Sequence, residues 1–129
     1  MLLFGHPYIK SESFYSITNI EEIKKTPSNA TLLIEWSEKN LGLIKHINDN
    51  NLSYAIVVTN IKEAIFAENL NAKYILTTKE LSASIANIAT EYLFDAKILT
   101  QIESDVQIEV EALKSVDGVI FSKIKEHII

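Results

Sequence analysis

The chain contains no cysteine. Disulfides, thiolate zinc sites and cysteine nucleophiles are excluded, and the composition fits a reducing compartment. Glycine is nearly as scarce, with only Gly5, Gly42 and Gly118. No G-x-x-x-x-G-K-[ST] loop, G-x-G-x-x-G fingerprint or G-x-S-x-G elbow can be assembled from them. No cofactor is therefore expected, although backbone N–H groups at a helix start can hold phosphate without glycine. No apolar run approaches the roughly 20 residues that span a bilayer. The opening MLLFGHPY has too short an apolar stretch for a signal peptide and no basic segment before it. No membrane partner and a cytoplasmic location are expected. Bases are outnumbered 12 to 17 by acids, for a net charge of -5. Lys24-Lys25 is the only adjacent basic pair. A nucleic-acid surface rests on clustered positive charge, so no nucleic-acid partner is expected. His6, His46 and His127 are far apart and form no H-x-H or H-E-x-x-H pattern, so no metal site is expected.

What is present describes a folded domain. The 129 residues are 47% hydrophobic and 22% charged, enough for one domain with a real core. Five apolar runs recur at similar intervals: TLLIEW from Thr31, YAIVVT from Tyr54, KYILT from Lys73, KILT from Lys97 and GVIF from Gly118. YAIVV does not alternate, which marks a strand buried on both faces in a parallel sheet.

Helical spacing lies between the runs. Leu81, Ile85, Ile88 and Tyr92 form one stripe, and Val106, Val110 and Leu113 form another. Shorter apolar faces hold Ile61, Ala64, Ile65 and Ala67, and Leu41, Ile44 and Ile47. Asn60 with Glu63, Thr77 with Glu80, and Ser104 with Gln107 have capping-box spacing. Strands alternating with helices predict right-handed β-α-β units. The expected class is α/β: a three-layer α/β/α domain with a mostly parallel sheet of five or six strands, flavodoxin-like in the broad sense. It is read as a single domain, 1–129, with repeated β-α units over 31–129. Residues 1–30 hold a strand or arm and a short helix capped by Thr18 or Asn19. LLFGHPYI and SFYSI are read there as a hairpin, or as an edge strand with an extended arm. AKYILT and AKILT, starting at Ala72 and Ala96, form an internal echo.

Two resemblances bear on the plan. AENLNAKYIL and ALKSVDGVIF resemble the helix-to-strand hand-offs of phosphate-binding β/α barrels. A complete barrel needs about 250 residues, so the likeness implies a half-barrel-like arrangement. The five-unit plan and VIFSKI resemble a response-regulator receiver domain, with Thr100 and Lys123 in matching places. Where that family has its phosphoacceptor aspartate this chain has Thr77, so the likeness implies a form that cannot be phosphorylated. The last helix of that plan would span Ser122 to Ile129.

Ligands of open parallel sheets bind outside the carboxyl ends of the strands. Glu35, inside an apolar run beside the only tryptophan, and His6, restrained between Gly5 and Pro7, are the acid/base candidates. Thr59, Thr100, Gln101 and Lys123 are the ligand-binding candidates. Thr100 and Gln101 stand out because Ser104 is the better cap, which leaves them in a loop. Against these, Asn60, Thr77 and Ser104 are explained as helix caps, and Lys79 as a solvated first-turn lysine.

The expected function is a non-catalytic association or regulatory module, as a homo-oligomer or with a protein partner. The absence of catalytic motifs supports it, as does the aromatic N-terminal segment of Phe4, Tyr8, Phe14 and Tyr15. The alternative is a small-molecule enzyme or sensor on the strand-end rim, a phosphate-containing ligand included. That alternative needs Glu35 and His6 in one pocket. Burial of Phe4, Tyr8 and Phe14 in the protein's own core counts against self-association through that segment.

Overall fold

A computed structural model describes residues 1–122 and 125–127. The eight strands are β1 (Leu2–Phe4), β2 (Phe14–Ser16), β3 (Thr31–Glu35), β4 (Ser53–Val57), β5 (Tyr74–Thr77), β6 (Lys97–Ile102), β7 (Gly118–Phe121) and β8 (Lys125–His127). Helices α1 (Ile20–Ile23), α2 (Leu41–Asp49), α3 (Ile61–Asn69), α4 (Ser82–Glu91) and α5 (Val106–Ala112) lie between them. The fold is α/β with a wholly parallel sheet and intervening helices, as expected. There are more strands than the five or six expected, because the N-terminal segment supplies two and residues 125–127 a third. Those three C-terminal residues are strand where a last helix was expected. The N-terminal segment is not a hairpin: β1 pairs with β7, and β2 pairs with β3 and β8.

The strand order is β1-β7-β6-β5-β4-β3-β2-β8, so β2 to β7 follow the chain in sequence. The sheet curls far enough for strands remote in that order to touch. Phe4 of β1 and Phe14 of β2 meet edge to face, with ring centroids 5.4 Å apart, and both rings contact Tyr74 of β5.

Alternation along each strand divides the core in two. Leu32, Ile34, Tyr54, Ile56, Ile75 and Ile98 pack against Ile44, Ile47, Ala64, Ala67 and Ile85 of the helices. Leu33, Ala55, Leu76, Leu99 and Ile120 join the aromatic trio in a second cluster drawn from strands alone. β4 is buried on both faces, as its unbroken apolar run predicts. Ala64 and Ala67 are fully buried, and their small side chains let α3 lie close to the sheet.

Helices α2, α3 and α4 are each followed by a left-handed residue: Asn51 (φ 55°), Asn71 (φ 67°) and Leu93 (φ 52°). A backbone bond then closes each end, as from Leu52 N–H to the Ile47 carbonyl at 3.0 Å. Ser115 (φ 63°) is left-handed three residues past α5, its N–H bonded to the Ala112 carbonyl at 3.4 Å.

Three local expectations are corrected. Ser82, not a residue near Thr77, opens α4, and Thr77 is buried at the end of β5, so the Thr77–Glu80 box is not formed. Ser104 makes no side-chain cap to α5, although Gln107 reaches back to the Glu103 and Ser104 N–H groups at 2.8 and 3.1 Å. The Val106, Val110, Leu113 stripe faces solvent: the three are 72%, 54% and 88% exposed. Glu111 is the buried residue of α5 instead, held by the Lys114 ammonium at 2.7 Å.

Candidate functional site

Parallel strands bring their carboxyl ends to one side, and the joints there are built from short polar motifs. After β2 and after β4 the same motif appears, Thr18-Asn19-Ile20 leading to Glu22 and Thr59-Asn60-Ile61 leading to Glu63. Asn19 accepts from the Glu22 N–H at 3.0 Å, and Asn60 from the Glu63 N–H at 2.8 Å. Each glutamate reaches back to the threonine, accepting its N–H and its hydroxyl. Hydrogen bonds from Thr18 hold the Glu22 carboxyl below the ordinary carboxylate range. Thr59 is thus engaged in closing a helix start. The ITNIEE and VTNIKE stretches are an internal repeat that the sequence reading missed; a comparison of strand ends, rather than of strand cores, would have found it.

His6 follows β1 through Gly5, whose φ of 87° lets the chain turn off the sheet. The ring is 9% exposed and packs edge to face with Tyr8 and Phe121. The Tyr8 N–H donates to Nδ1 at 3.1 Å, so Nδ1 is an acceptor and Nε2 carries the hydrogen given to Asp105 at 2.9 Å. Both nitrogens are occupied, and His6 ties the segment after β1 to the start of α5.

Glu35 ends β3, is exposed, and sits beside Trp36, which stacks on Phe66 at 5.4 Å. Its neighbourhood is concave. Ser16 at the end of β2, Ile17 and Thr18 after it, Leu33 to Glu35 on β3, Asn40 and Val57 line a cavity of about 400 Å³. Asn40 closes a short 3-10 turn, Glu38–Asn40, and donates its side-chain N–H to the Glu35 carbonyl at 2.8 Å. His6 is not among the residues lining this cavity, so the two acid/base candidates share no pocket here.

Gln101 lies elsewhere on the rim, in a shallower hollow of about 250 Å³ with Thr78, Lys79, Glu80, Glu103 and Gln107. Thr100 is not in a loop. β6 runs on to Ile102, so Thr100 shares the helix-facing side of its strand with Ile98 and is fully buried. Its hydroxyl adjoins the Glu111 carboxylate. Thr100 Oγ1 and Glu111 Oε1 have no partner of strict hydrogen-bond geometry among the described residues. Burial pushes the Glu111 pKa up. Lys114, Ser82 and Thr100 outweigh that and hold it below the usual value of 4.5. Lys123 lies outside the described residues. The sequence reading missed Ser16, Thr18 and Asn40 at the cavity and Glu111 with Lys114 beneath α5.

A hollow of about 420 Å³ lies at the amino ends of the strands, between Leu2, Lys73 and Lys97. Its Glu68 carboxylate is occupied by the Asp95 and Ala96 N–H groups, both at 2.9 Å. Among the described residues no His/Cys/Asp/Glu group has the makings of a metal site, and no helix is long and apolar enough to cross a membrane. No serine or threonine hydroxyl there bonds a histidine ring. The chain has no arginine, so the bidentate fork that often grips phosphate is absent. No family model matches the chain, and no curated protein matches it significantly.

Proposed function

We propose that the chain is a non-catalytic, cytoplasmic association module that pairs with a second copy of itself through α5. The observation that carries this reading is the outward apolar stripe of Val106, Val110 and Leu113. A helix that only had to cover the sheet would turn these residues in. Here a buried glutamate and its lysine take the inner face instead.

The stripe is self-complementary. Val106 stands four residues before Val110, and Leu113 three after. A two-fold axis near Val110, with the helices antiparallel, sets Val106 of one copy against Leu113 of the other, which is the isologous pattern of a C2 dimer. Leu93 is a further exposed apolar side chain: with Ser115 it borders a cavity of about 230 Å³ between the ends of α4 and α5. Leu93 is 84% exposed in a left-handed conformation that costs a bulky side chain about 1–2 kcal/mol. The closing bond of α4 accounts for that backbone, and the exposed side chain is left as further apolar surface. Phe4 and Phe14, by contrast, are buried in the protein's own core and leave the N-terminal segment only Tyr8 as a large exposed aromatic.

Multi-angle light scattering across a concentration series tests the proposal. The expected mass is twice the 14.5 kDa of the chain, returning to a single chain in Val110→Glu. A wild-type protein that stays monomeric at the highest concentration removes this reading. The alternative of a ligand site on the rim draws on the cavity beside Glu35.

A further inference from the structure

We propose that the cavity at the ends of β2, β3 and β4 binds a small organic cation, an ammonium group on a short apolar body. This goes beyond the association reading and gives the rim alternative a ligand class. The cavity's polar groups are left mostly as hydrogen-bond acceptors. The Glu35 carboxylate is acceptor-only and has no partner among the described residues. The Thr18 hydroxyl has given its hydrogen to Glu22 at 2.5 Å, so its oxygen remains as an acceptor. Asn40 has given a side-chain hydrogen to the Glu35 carbonyl, and its Oδ1 is left without a partner. Ser16 supplies a hydroxyl that turns either way.

No lysine or histidine lines the cavity. An anion entering it meets the Glu35 charge with nothing to offset it, so phosphate is disfavoured. A hard divalent cation wants several oxygen ligands and more than one carboxylate. An alkylammonium matches both halves of the site: its N–H groups meet the acceptors, and its chain lies on Leu33 and Val57 of the inner core. A cavity of about 400 Å³ is within the usual range for small-molecule sites.

The probe is n-butylammonium, followed by amide NMR and by the fluorescence of Trp36, with n-butanol, butyrate and inorganic phosphate as comparisons. The expected result is saturable binding of the amine, with shifts at Ser16, Thr18 and Val57. Butanol binds about tenfold more weakly, for want of a charge-assisted hydrogen bond, and the anions do not bind. Glu35→Gln, an isosteric change at an exposed position, weakens the amine by about tenfold or more and leaves butanol unchanged. The proposal is overturned if butyrate or phosphate binds as tightly as the amine. It is equally overturned if Glu35→Gln makes no difference, if the shifts lie elsewhere, or if the amine does not saturate. α5 takes no part in this measurement, so its failure and the failure of the dimer are separate results.

Discussion

At the scale of single residues, Gly118 and Glu111 show how much local detail the packing demands. A Cβ on Gly118 would lie 2.5 Å from the Leu2 carbonyl oxygen and 2.7 Å from its Cβ, both fixed by the β1–β7 ladder. Gly118→Ala must push β1 outward, and a loss of about 1–3 kcal/mol is expected by urea denaturation. Gly42→Ala is the control. It sits in α2 with nothing within 4 Å of the added methyl, so it gains about 0.5–1 kcal/mol from helix propensity. Equal effects of the two substitutions would refute the close-approach argument.

Glu111 gives a pH dependence with a definite sign. Its carboxyl pKa is lower in the fold than in the unfolded chain, against the pull of burial. Such a group adds stability above its unfolded pKa, near 4.5, and that contribution is lost as pH falls through the lower folded value. Lys114→Met leaves a buried carboxylate uncompensated and is expected to cost about 3 kcal/mol at pH 7. That cost shrinks as the pH falls, beginning where the variant's uncompensated carboxyl, its pKa raised by burial, takes up a proton, and ending below the lower wild-type value. Denaturation midpoints of both proteins between pH 7 and pH 3 check it; a cost independent of pH would place the role of Lys114 in packing rather than charge.

At the scale of elements, the helix starts differ in ways that can be measured. At the start of α3 Asn60 accepts the Glu63 N–H and Glu63 accepts the Thr59 N–H, whereas Asp105 precedes α5 with no side-chain cap. Asn60→Ala should therefore cost about 1 kcal/mol and Ser104→Ala almost nothing, by thermal or urea unfolding. The capping spacing alone treated Asn60, Thr77 and Ser104 alike. What separated them is how far the preceding strand runs: β5 absorbs Thr77, and β6 continues past Thr100 because Ile98 and Thr100 keep alternating with Leu99 and Gln101. Spacing likewise identified the stripe on α5 but not its direction. A period of 3.6 says that one face is apolar, not which way it points. The direction follows from Glu111 meeting Ser82 of α4 and Thr100 of β6 beneath the helix, contacts between distant parts of the chain that leave no local pattern. The parallel α/β class was legible because each of β3 to β7 carries its own apolar run. The cavity was legible only at Glu35, since Ser16 and Thr18 come from the end of β2 and the joint after it, and Asn40 from the turn after β3.

At the scale of the whole molecule, the sequential strand order makes the inner core depend on closure between strands at opposite ends of the run. Phe14, fully buried, contacts Phe4 from β1 and Tyr74 from β5. The amino end beneath them is held by Glu12, which accepts the Tyr74 hydroxyl and the Thr31 hydroxyl, each at 2.5 Å. Burial, then the Glu12 bond, push the Tyr74 phenol well above its ordinary pKa, so it stays a donor. The three residues of β2 look like an appendage, yet removing one ring opens a void shared by three strands. Phe14→Ala is expected to cost about 3–5 kcal/mol, with Trp36 fluorescence and far-UV circular dichroism still reporting a single coincident transition. Tyr74→Phe keeps the rings and removes only the hydroxyl, so it should cost about 1–3 kcal/mol. If β2 were a detachable edge, Phe14→Ala would cost less than Tyr74→Phe and the two probes would part. A large loss with coincident probes instead means that the curled sheet folds as one body, with the aromatic trio as its closure.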